Sequence, residues 1–291
     1  AAAVQNDRMF FAAPELVRRI ERAECSLLTD VAEGVLAEAG PDAGAAGPFV
    51  APIGGGVATF VRPGSPLNKL AGVGFEGPLD GALLEAIEAE FLRRGAPLQA
   101  EVSALADPAA LQALGRRGYA LAGFENVLGL RLTGAAPAAS PDGVVSVSVA
   151  GPGEERAWRE ALVDGFDQPD GSRPERETFS REALAVVFDD VARARGQRRY
   201  LARVGGVVVG GASLRLFEGV AQLSGAATLP AFRRRGVQTA LLAARLADAA
   251  RAGCDLAVVT TEPGTKSQEN VMRQGFSLLY AREALTREPR G

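Results

Sequence analysis

The amino-acid sequence predicts an α/β protein built from two similar units in tandem. Helical and strand-like patterns alternate along its 291 residues, a length that suits two domains of about 100–200 residues each. A stretch of small residues and prolines from Thr133 to Gly143 interrupts the alternation, and the order of patterns before it returns after it. We therefore expect a boundary near residue 138, with units at 1–138 and 139–291.

The first unit opens with a long helix and then alternates between strands and helices. Pro14 to Glu38 carries apolar residues at helical spacing, and so does Leu79 to Arg94, which ends at Gly95. Asp107 is expected to cap a short helix that ends near residue 117. The expected strands are Phe49–Ile53, Gly56–Arg62, Asn68–Phe75, Leu98–Ala104 and Tyr119–Leu132.

The second unit contains a strand, two helices, a hairpin turning at Gly205-Gly206, and then a strand–helix–strand–helix–strand series. Its strongest helix pattern is closed by Gly253. The expected helices are Glu154–Asp164, Arg181–Arg195, Thr239–Ala252 and Lys266–Gln274. The expected strands are Val144–Val149, Tyr200–Val204, Val207–Leu216, Val220–Leu229, Leu256–Thr261 and Phe276–Arg282.

Three anchors relate the two units at nearly one offset. Each anchor has the same structural role in both units, which favours a duplication over accidental recurrence in a chain rich in alanine and leucine. Ala82–Leu84 corresponds to Ala240–Leu242 and Gly95 to Gly253, both 158 residues apart, and Arg117-Gly118-Tyr119 corresponds to Gln274-Gly275-Phe276, 157 residues apart.

The composition excludes several kinds of chemistry. Without histidine there can be no Ser-His-Asp or Cys-His triad and no imidazole metal site, and two distant cysteines, Cys25 and Cys254, do not make a metal site or a disulfide framework. The net charge of −3 gives no electrostatic case for nucleic acid. Because the chain has no apolar run of about 18 residues and its first residues lack the apolar core of a signal peptide, we expect no membrane partner and a cytoplasmic location.

The segment most indicative of chemistry is the turn before the 239–252 helix. Arg233, Arg234, Arg235 and Gly236 stand directly before the apolar-periodic residues. The first N–H groups of a helix have no intrahelical acceptor and carry the positive end of its dipole, so an anion is their natural partner. Guanidinium groups and a close-approach glycine suit a phosphate or diphosphate. From the residues alone, a solvated basic turn before an ordinary helix stays an equal alternative.

The turn resembles the acyl-coenzyme A (acyl-CoA) motif of the GNAT superfamily of N-acetyltransferases, Q/R-x-x-G-x-G/A. Here it reads Arg233-Arg234-Arg235-Gly236-Val237-Gln238. The preceding Ala227–Pro230 resembles the strand end before the family's loop, and Ser267–Phe276 resembles its last helix and Gly-Phe turn. The resemblance covers Val144 to Thr286, with the elements in family order.

This resemblance implies a fold and an activity. Each tandem unit would be a mixed, mostly antiparallel sheet flanked by helices, and the second would transfer an acetyl group from acetyl-CoA to an amine that attacks the thioester directly. The expected coenzyme contacts are Ala227, Thr228, Leu229, Arg233, Arg234, Arg235, Gly236, Val237, Gln238, Thr239 and Asn270. A backbone N–H around Leu229 would polarise the thioester carbonyl. No metal is implied.

The sequence departs from the family pattern at the catalytic positions. Gln238 replaces the usual second glycine or alanine, and Val271 stands where many members have a general-acid tyrosine. No carboxylate lies on the strands where many members carry a general base. Tyr280 and Glu262, which lie nearby in sequence, are the remaining candidates for acid and base. These departures leave open an alternative, a non-catalytic CoA-binding or interaction module.

The equivalent turn of the first unit has lost the arginines. Glu76 and Asp80 bring carboxylates to the start of its helix, and Pro78 removes an N–H group. We therefore expect no CoA site in residues 1–138.

The acceptor is expected to bind beside the first two helices of the second unit. Asp164 and Asp167 could hold a cationic amine there, with a solvated loop as the alternative. The expected partner is a small-molecule amine or a peptide amino terminus, and a homodimer is left open.

Overall fold

The computed structural model describes residues 11–40, 44, 46–133, 144–168 and 179–288. The expected unit boundary near residue 138 lies outside these ranges. The described helices are α1 Pro14–Ala39, α2 Gly81–Arg93, α3 Pro108–Arg116, α4 Glu155–Phe166, α5 Arg181–Val191, α6 Val237–Arg251 and α7 Lys266–Arg273. The strands are β1 Phe49–Ile53, β2 Gly56–Phe60, β3 Lys69–Ala71, β4 Leu98–Ser103, β5 Ala120–Arg131, β6 Ser146–Val149, β7 Gln197–Val204, β8 Val207–Phe217, β9 Val220–Thr228, β10 Leu256–Thr261 and β11 Ser277–Arg287.

Most elements follow the predicted bounds, and one strand is much shorter than expected. The predicted strand Asn68–Phe75 is reduced to β3, because Gly72 and Gly74 have φ values of 70° and 85° that end the extended backbone. Asp107 caps α3 as predicted, accepting the Ala109 N–H at 2.8 Å. None of the helices in the described ranges is long and apolar enough to cross a membrane.

The strands form one mixed sheet in the order β1-β2-β3-β4-β11-β5-β10-β9-β8-β7-β6. Two neighbouring pairs, β3–β4 and β9–β10, are parallel and the other eight are antiparallel. Each parallel pair is joined by a helix, α2 in the first unit and α6 in the second. The predicted mixed, mostly antiparallel α/β architecture is thus confirmed, but the two separate sheets that we expected are joined into one.

The two units exchange their last strands, which the sequence did not predict. β5 belongs to the first unit in sequence but pairs with β10 of the second, from Leu256↔Arg131 to Thr261↔Asn126. β11, from the second unit, lies between β4 and β5. The sheet of each unit is therefore completed by a strand of the other.

Helix α1 packs across the inner face of this shared sheet and contacts both units. The Cys25 thiol donates to the carbonyl of Ala71 on β3 at 3.5 Å, and the Arg215 guanidinium on β8 donates to the carbonyl of Ala23 at 3.2 Å. Val17, Ala23, Leu28 and Val31 of this helix are completely buried. The first helix of the chain is therefore part of the core below the second unit.

A buried ion pair fastens α1 to the second unit. Arg215 Nη2 lies 2.6 Å from Asp30 Oδ2, and the two side chains are only 2% and 3% exposed. Arg195 contacts the other Asp30 oxygen at 2.6 Å. Removing one partner of a buried pair leaves the other charge desolvated and uncompensated.

Replacing Asp30 with alanine should lower the free energy of unfolding by about 3–5 kcal/mol, because Arg215 would stay buried without its carboxylate. Urea unfolding measures this loss. The matched control is Asp189→Ala, which removes an ion pair to Arg159 whose side chains are 42% and 34% exposed. We expect the control to cost less than about 1 kcal/mol, and equal losses in the two variants would contradict the buried role of Asp30.

Candidate active site

A gap opens in the sheet where β9 and β10 separate. The parallel pairing runs from Leu256↔Val220 to Val259↔Leu223, after which both strands continue without pairing to each other. The pairing of β9 with β8 shifts in register beyond Ser224, and Gly225 in this stretch has a φ of 47°. This bulge turns the end of β9 away from β10. The result is a cleft between two strand ends within the sheet.

Helix α6 begins beside this gap with a turn whose backbone N–H groups are open. Its N-cap is Gly236, with a φ of 77° and no side-chain cap, and Arg234 also has a positive φ, of 61°. Within the described part of the chain, the N–H groups of residues 234–239 have no hydrogen-bond acceptor. The Val237 side chain packs against Gly210, the strand partner of Thr228, so this turn adjoins the end of β9. A row of exposed donors at the positive end of a helix dipole favours an anion.

The three arginines of the turn have different surroundings. Arg233 Nη2 donates to the carbonyl of Gly165 at 3.1 Å and also to that of Gln168, so it fastens the turn to the end of α4. The Arg235 guanidinium lies 5.3 Å from the centre of the Phe232 ring. Arg234 and Arg235 are exposed at the start of α6. Only these last two guanidinium groups are free to approach an anion at the turn.

Two threonine hydroxyls near the gap are buried without a partner. Thr228 ends β9 and Thr261 ends β10, and neither Oγ1 has a hydrogen bond among the described residues. Thr228 is paired with Gly210, which faces α6. Thr261 lies on the same face of β10 as Ala257 and Val259, which belong to the core below α6. Both hydroxyls therefore face the side of the sheet where the anion site lies. Buried polar groups are normally satisfied, so this pair indicates room for a polar ligand.

If CoA binds here, as the sequence predicts, replacing Thr228 with valine should weaken its binding about 5- to 10-fold and leave the stability of the free protein unchanged or slightly higher. The substitution removes one hydrogen bond to the ligand and an unsatisfied hydroxyl from the free protein. Calorimetry gives the affinity and urea unfolding the stability. Thr59→Val is the control, since the Thr59 hydroxyl donates to Leu67 O at 2.8 Å, and it should lose stability while binding CoA normally. The reverse pattern would contradict a ligand role for Thr228.

The amide of Leu229 does not face the gap. Its N–H donates to Val209 O on β8 at 2.9 Å, so this amide is already used by the sheet. Because amides alternate sides along a strand, the N–H that points the other way, toward the gap, is that of Thr228. We expected the Leu229 amide to point toward the thioester, but in the structure the amide that faces the gap is that of Thr228.

Tyr280 is held in a structural contact on β11. Its hydroxyl donates to Glu21 Oε1 on α1 at 2.6 Å, and Arg282 Nε donates to the same oxygen at 2.9 Å. Burial, reinforced by the nearby Glu21 carboxylate, raises the pKa of Tyr280 well above its usual value. We therefore assign Tyr280 no part in proton transfer and correct that expectation.

The remaining predicted residues lie at the start of α6 and in the segment that follows β10. Glu262 directly follows β10. Its backbone carbonyl accepts a hydrogen bond of 2.8 Å from the hydroxyl of Thr265, the N-cap of α7. Asn270 is half-buried on α7. Gln238 is half-buried and Thr239 exposed in the first turn of α6. Glu262 and Asn270 thus belong to the segment that leaves the gap at the end of β10.

Asp164 and Asp167 bind an arginine. Both carboxylates accept hydrogen bonds from Arg181 of α5, with 2.9 Å between Arg181 Nη1 and Asp167 Oδ2, and these bonds raise the pKa of Arg181. The neighbouring Gly165 touches the end of β9 so closely that a Cβ there would lie 2.5 Å from Ala227 Cβ. The two aspartates are therefore near the gap, but a cationic amine would have to compete with Arg181.

The corresponding helix start in the first unit is occupied by its own side chain. Asp80 Oδ1 accepts the N–H groups of Ala82 and Leu83, both at 2.9 Å, at the beginning of α2. This N-cap carboxylate satisfies two of the donors that α6 leaves open and carries a negative charge. The two units thus differ at the helix start that an anion would use.

Comparisons with known proteins relate the second unit to one family of enzymes. Residues 157–276 match the family model for the acetyltransferase (GNAT) family. A search of curated proteins gives no significant match. A GCN5-related N-acetyltransferase from Kribbella flavida has a similar structure, with a TM-score of 0.64, 19% identity, and coverage of 97% of this chain and 98% of that one.

Two further solved structures share the fold. A tandem GNAT protein from the clavulanic acid biosynthesis pathway gives a TM-score of 0.54 at 16% identity, covering 81% of this chain and 78% of its own. A GCN5-related N-acetyltransferase from Sphaerobacter thermophilus gives 0.53 at 21%, covering 72% and 68%. At these identities the similarity concerns the fold. The chain therefore has the tandem GNAT fold, and its residues 157–276 match the model of the GNAT acetyltransferase family.

Proposed function

We propose that this protein is an N-acyltransferase that moves an acetyl group from acetyl-CoA to a primary amine. The observation that carries the proposal is the start of α6, where the N–H groups of residues 234–239 have no acceptor in the described structure and no side chain caps the helix. A GNAT fold supports acyl transfer in general. The open turn supports a diphosphate-bearing acyl donor in particular.

The residues around the gap fit such a donor. The amides of 234–239, with the exposed Arg234 and Arg235, would hold the diphosphate. The unpaired end of β9 would pair with the pantetheine arm, and the buried hydroxyls of Thr228 and Thr261 would gain partners. Asn270 on α7, in the segment that follows β10, would be a further contact to the pantetheine arm.

The chemistry requires few protein groups. The Thr228 N–H would stabilise negative charge that develops on the thioester oxygen, a contribution of about 3–4 kcal/mol for one well-placed donor. Holding the amine next to the thioester makes the attack effectively unimolecular. Direct attack also suits a chain that has no histidine to support a covalent intermediate. Asp164 and Asp167 would orient an acceptor through Arg181 or in competition with it.

We propose a different task for residues 1–138. Asp80 occupies the helix start that would bind a diphosphate, so this unit would bind no CoA. It would instead complete the second unit through β5 and α1. Under this proposal, the second unit would bind the acyl donor and the first would not.

The test is release of CoA thiol from acetyl-CoA in the presence of an alkyl diamine, an amino acid amide or a short peptide with a free amino terminus. We expect amine-dependent thiol release and an acetylated product by mass spectrometry. Tight CoA binding without turnover on such amines would favour the non-catalytic alternative. Failure to bind CoA at all would overturn the proposal.

A further inference from the structure

The exchanged strand β5 brings a carboxylate to the end of the gap. Asn126 pairs with Thr261, the last residue of β10. Glu125 precedes Asn126 in β5 and lies one position beyond this last pair. On its other side Glu125 pairs with Arg282 of β11. Glu125 therefore lies level with the point at which β10 ends and turns toward α7.

The Glu125 side chain is half-buried on the α1 side of the sheet. It is two residues from Val127, which packs below α1 together with Val258 and Tyr280, so it shares their side of the sheet. Thr260 pairs with Val127 and lies on that side too, which makes it a diagonal neighbour of Glu125 at about 7–8 Å between Cα atoms. A glutamate side chain spans much of this distance.

The cover provided by α1 ends at Glu125: its β11 partner Arg282 is 2% exposed and contacts Glu21 of α1, whereas the β10 side is open. Val127 and Val258 are 1% and 5% exposed below the helix, whereas the next residue of β10 on the same side, Thr260, is exposed. The end of α4 lies on this side as well, because Gly165 contacts Ala227. The open surface between α1 and α4 thus runs from the gap to Glu125, and an amine that reaches the gap from there would pass this carboxylate.

The environment of Glu125 suits proton transfer near neutral pH. Burial, together with the nearby Glu101 carboxylate, raises the pKa of Glu125 to about 7. Lys69 of β3 and Arg282 of β11 act in the opposite direction, and Glu24 of α1 adds to the increase. An ordinary glutamate is too weak a base for an ammonium group, whereas a carboxylate with a pKa near the working pH is well matched to the task.

We propose that Glu125, on a strand supplied by the first unit, is the general base of the acyl transfer in the second unit. This inference rests on the proposed function. The overall change is RNH3+ plus acetyl-CoA to acetylated amine, CoA thiol and H+. Glu125 accepts one proton from the ammonium group and returns it to solvent; a C–N bond forms, the C–S bond breaks, and the second nitrogen proton ends on the departing sulfur.

The proposal gives the strand exchange a chemical consequence. Neither β9 nor β10 carries a carboxylate, and the base that the second unit lacks in sequence is provided across the β5–β10 pairing. Glu262 is the competing carboxylate, since it directly follows β10. The two candidates are on different units and can be separated by substitution.

The experiment compares Glu125→Gln, Glu262→Gln and Glu283→Gln in the full chain, with acetyl-CoA and an alkyl diamine as probes. Glu283 is the control because it pairs with Phe124, the neighbour of Glu125, and its side chain faces the opposite side of the sheet. For Glu125→Gln we expect kcat to fall at least about 100-fold at pH 7, with an unchanged KM for acetyl-CoA. The break near pH 7 in kcat/KM for the amine should vanish in this variant and persist in the other two.

The outcomes separate the base assignment from the proposed function. A wild-type rate and an intact break near pH 7 in Glu125→Gln, or loss of the break in Glu262→Gln, would overturn the role of Glu125 while leaving acyl transfer intact. Absence of amine acetylation by the wild type would instead refute the proposed function. If urea unfolding shows that Glu125→Gln is destabilised, Glu125→Asp is measured in its place. This variant should keep the break near pH 7 with a kcat at least tenfold lower than that of the wild type. An unchanged kcat would overturn the proposal.

Discussion

Replacing Thr239 with glutamate should weaken CoA binding by about 10- to 100-fold while leaving the fold as stable as before or slightly more stable. Thr239 is exposed in the first turn of α6, next to the amides assigned to the diphosphate. A carboxylate there would repel a dianion about 4 Å away by about 2 kcal/mol at the dielectric constant of water, which suits an exposed site. The same carboxylate interacts favourably with the helix dipole, which contributes about 0.3–1 kcal/mol to stability.

The opposite signs of the two effects make this substitution informative. Isothermal titration with CoA gives the affinity, and urea unfolding of the free protein gives the stability. The control is Thr239→Gln, because glutamine has the shape of glutamate without its charge. This variant should bind CoA within about threefold of the wild type. Unchanged affinity in the glutamate variant would place the diphosphate elsewhere.

Cutting the chain between the units should leave the two pieces associated. A protease site introduced within 134–143 would give fragments 1–138 and 139–291. β11 pairs with β4 over six positions and with β5 over nine, and the buried Arg215–Asp30 pair adds a further link between the fragments. Separation would expose both edges of the exchanged strands and the buried face of α1, which is unfavourable in water.

Size-exclusion chromatography after cleavage checks this expectation. We expect the fragments to elute together at the volume of the intact protein and to separate only in denaturant. The uncut protein, run on the same column, is the control. Two separately eluting, folded fragments would contradict the strand exchange.

The sequence predicted the parts of the fold that depend on local patterns. β10 has the expected bounds, and α6 begins two residues earlier than expected because Gly236, with its positive φ, is the N-cap. The unpaired amides before α6 also follow from local chemistry, since a glycine N-cap offers no side chain to satisfy them. Helix periodicity and cap residues therefore carried the prediction of the anion site.

The residues that sequence reasoning missed depend on pairings distant in the chain. No periodicity indicates that β5 leaves its own unit, so neither the position of Glu125 beside β10 nor the contact of Tyr280 with Glu21 could be foreseen. The choice between Leu229 and Thr228 depends on which strand edge each amide faces, and only the pairing with β8 decides it. Composition excluded imidazole chemistry but could not reveal a carboxylate supplied by the other unit.

A crystal structure of the protein with CoA tests the central claim most directly. Diphosphate oxygens should lie about 2.7–3.2 Å from backbone nitrogens within residues 234–239, with the pantetheine arm passing between the ends of β9 and β10. Density for the diphosphate at the start of α2, where Asp80 now caps the helix, or at a surface away from the gap would contradict the account.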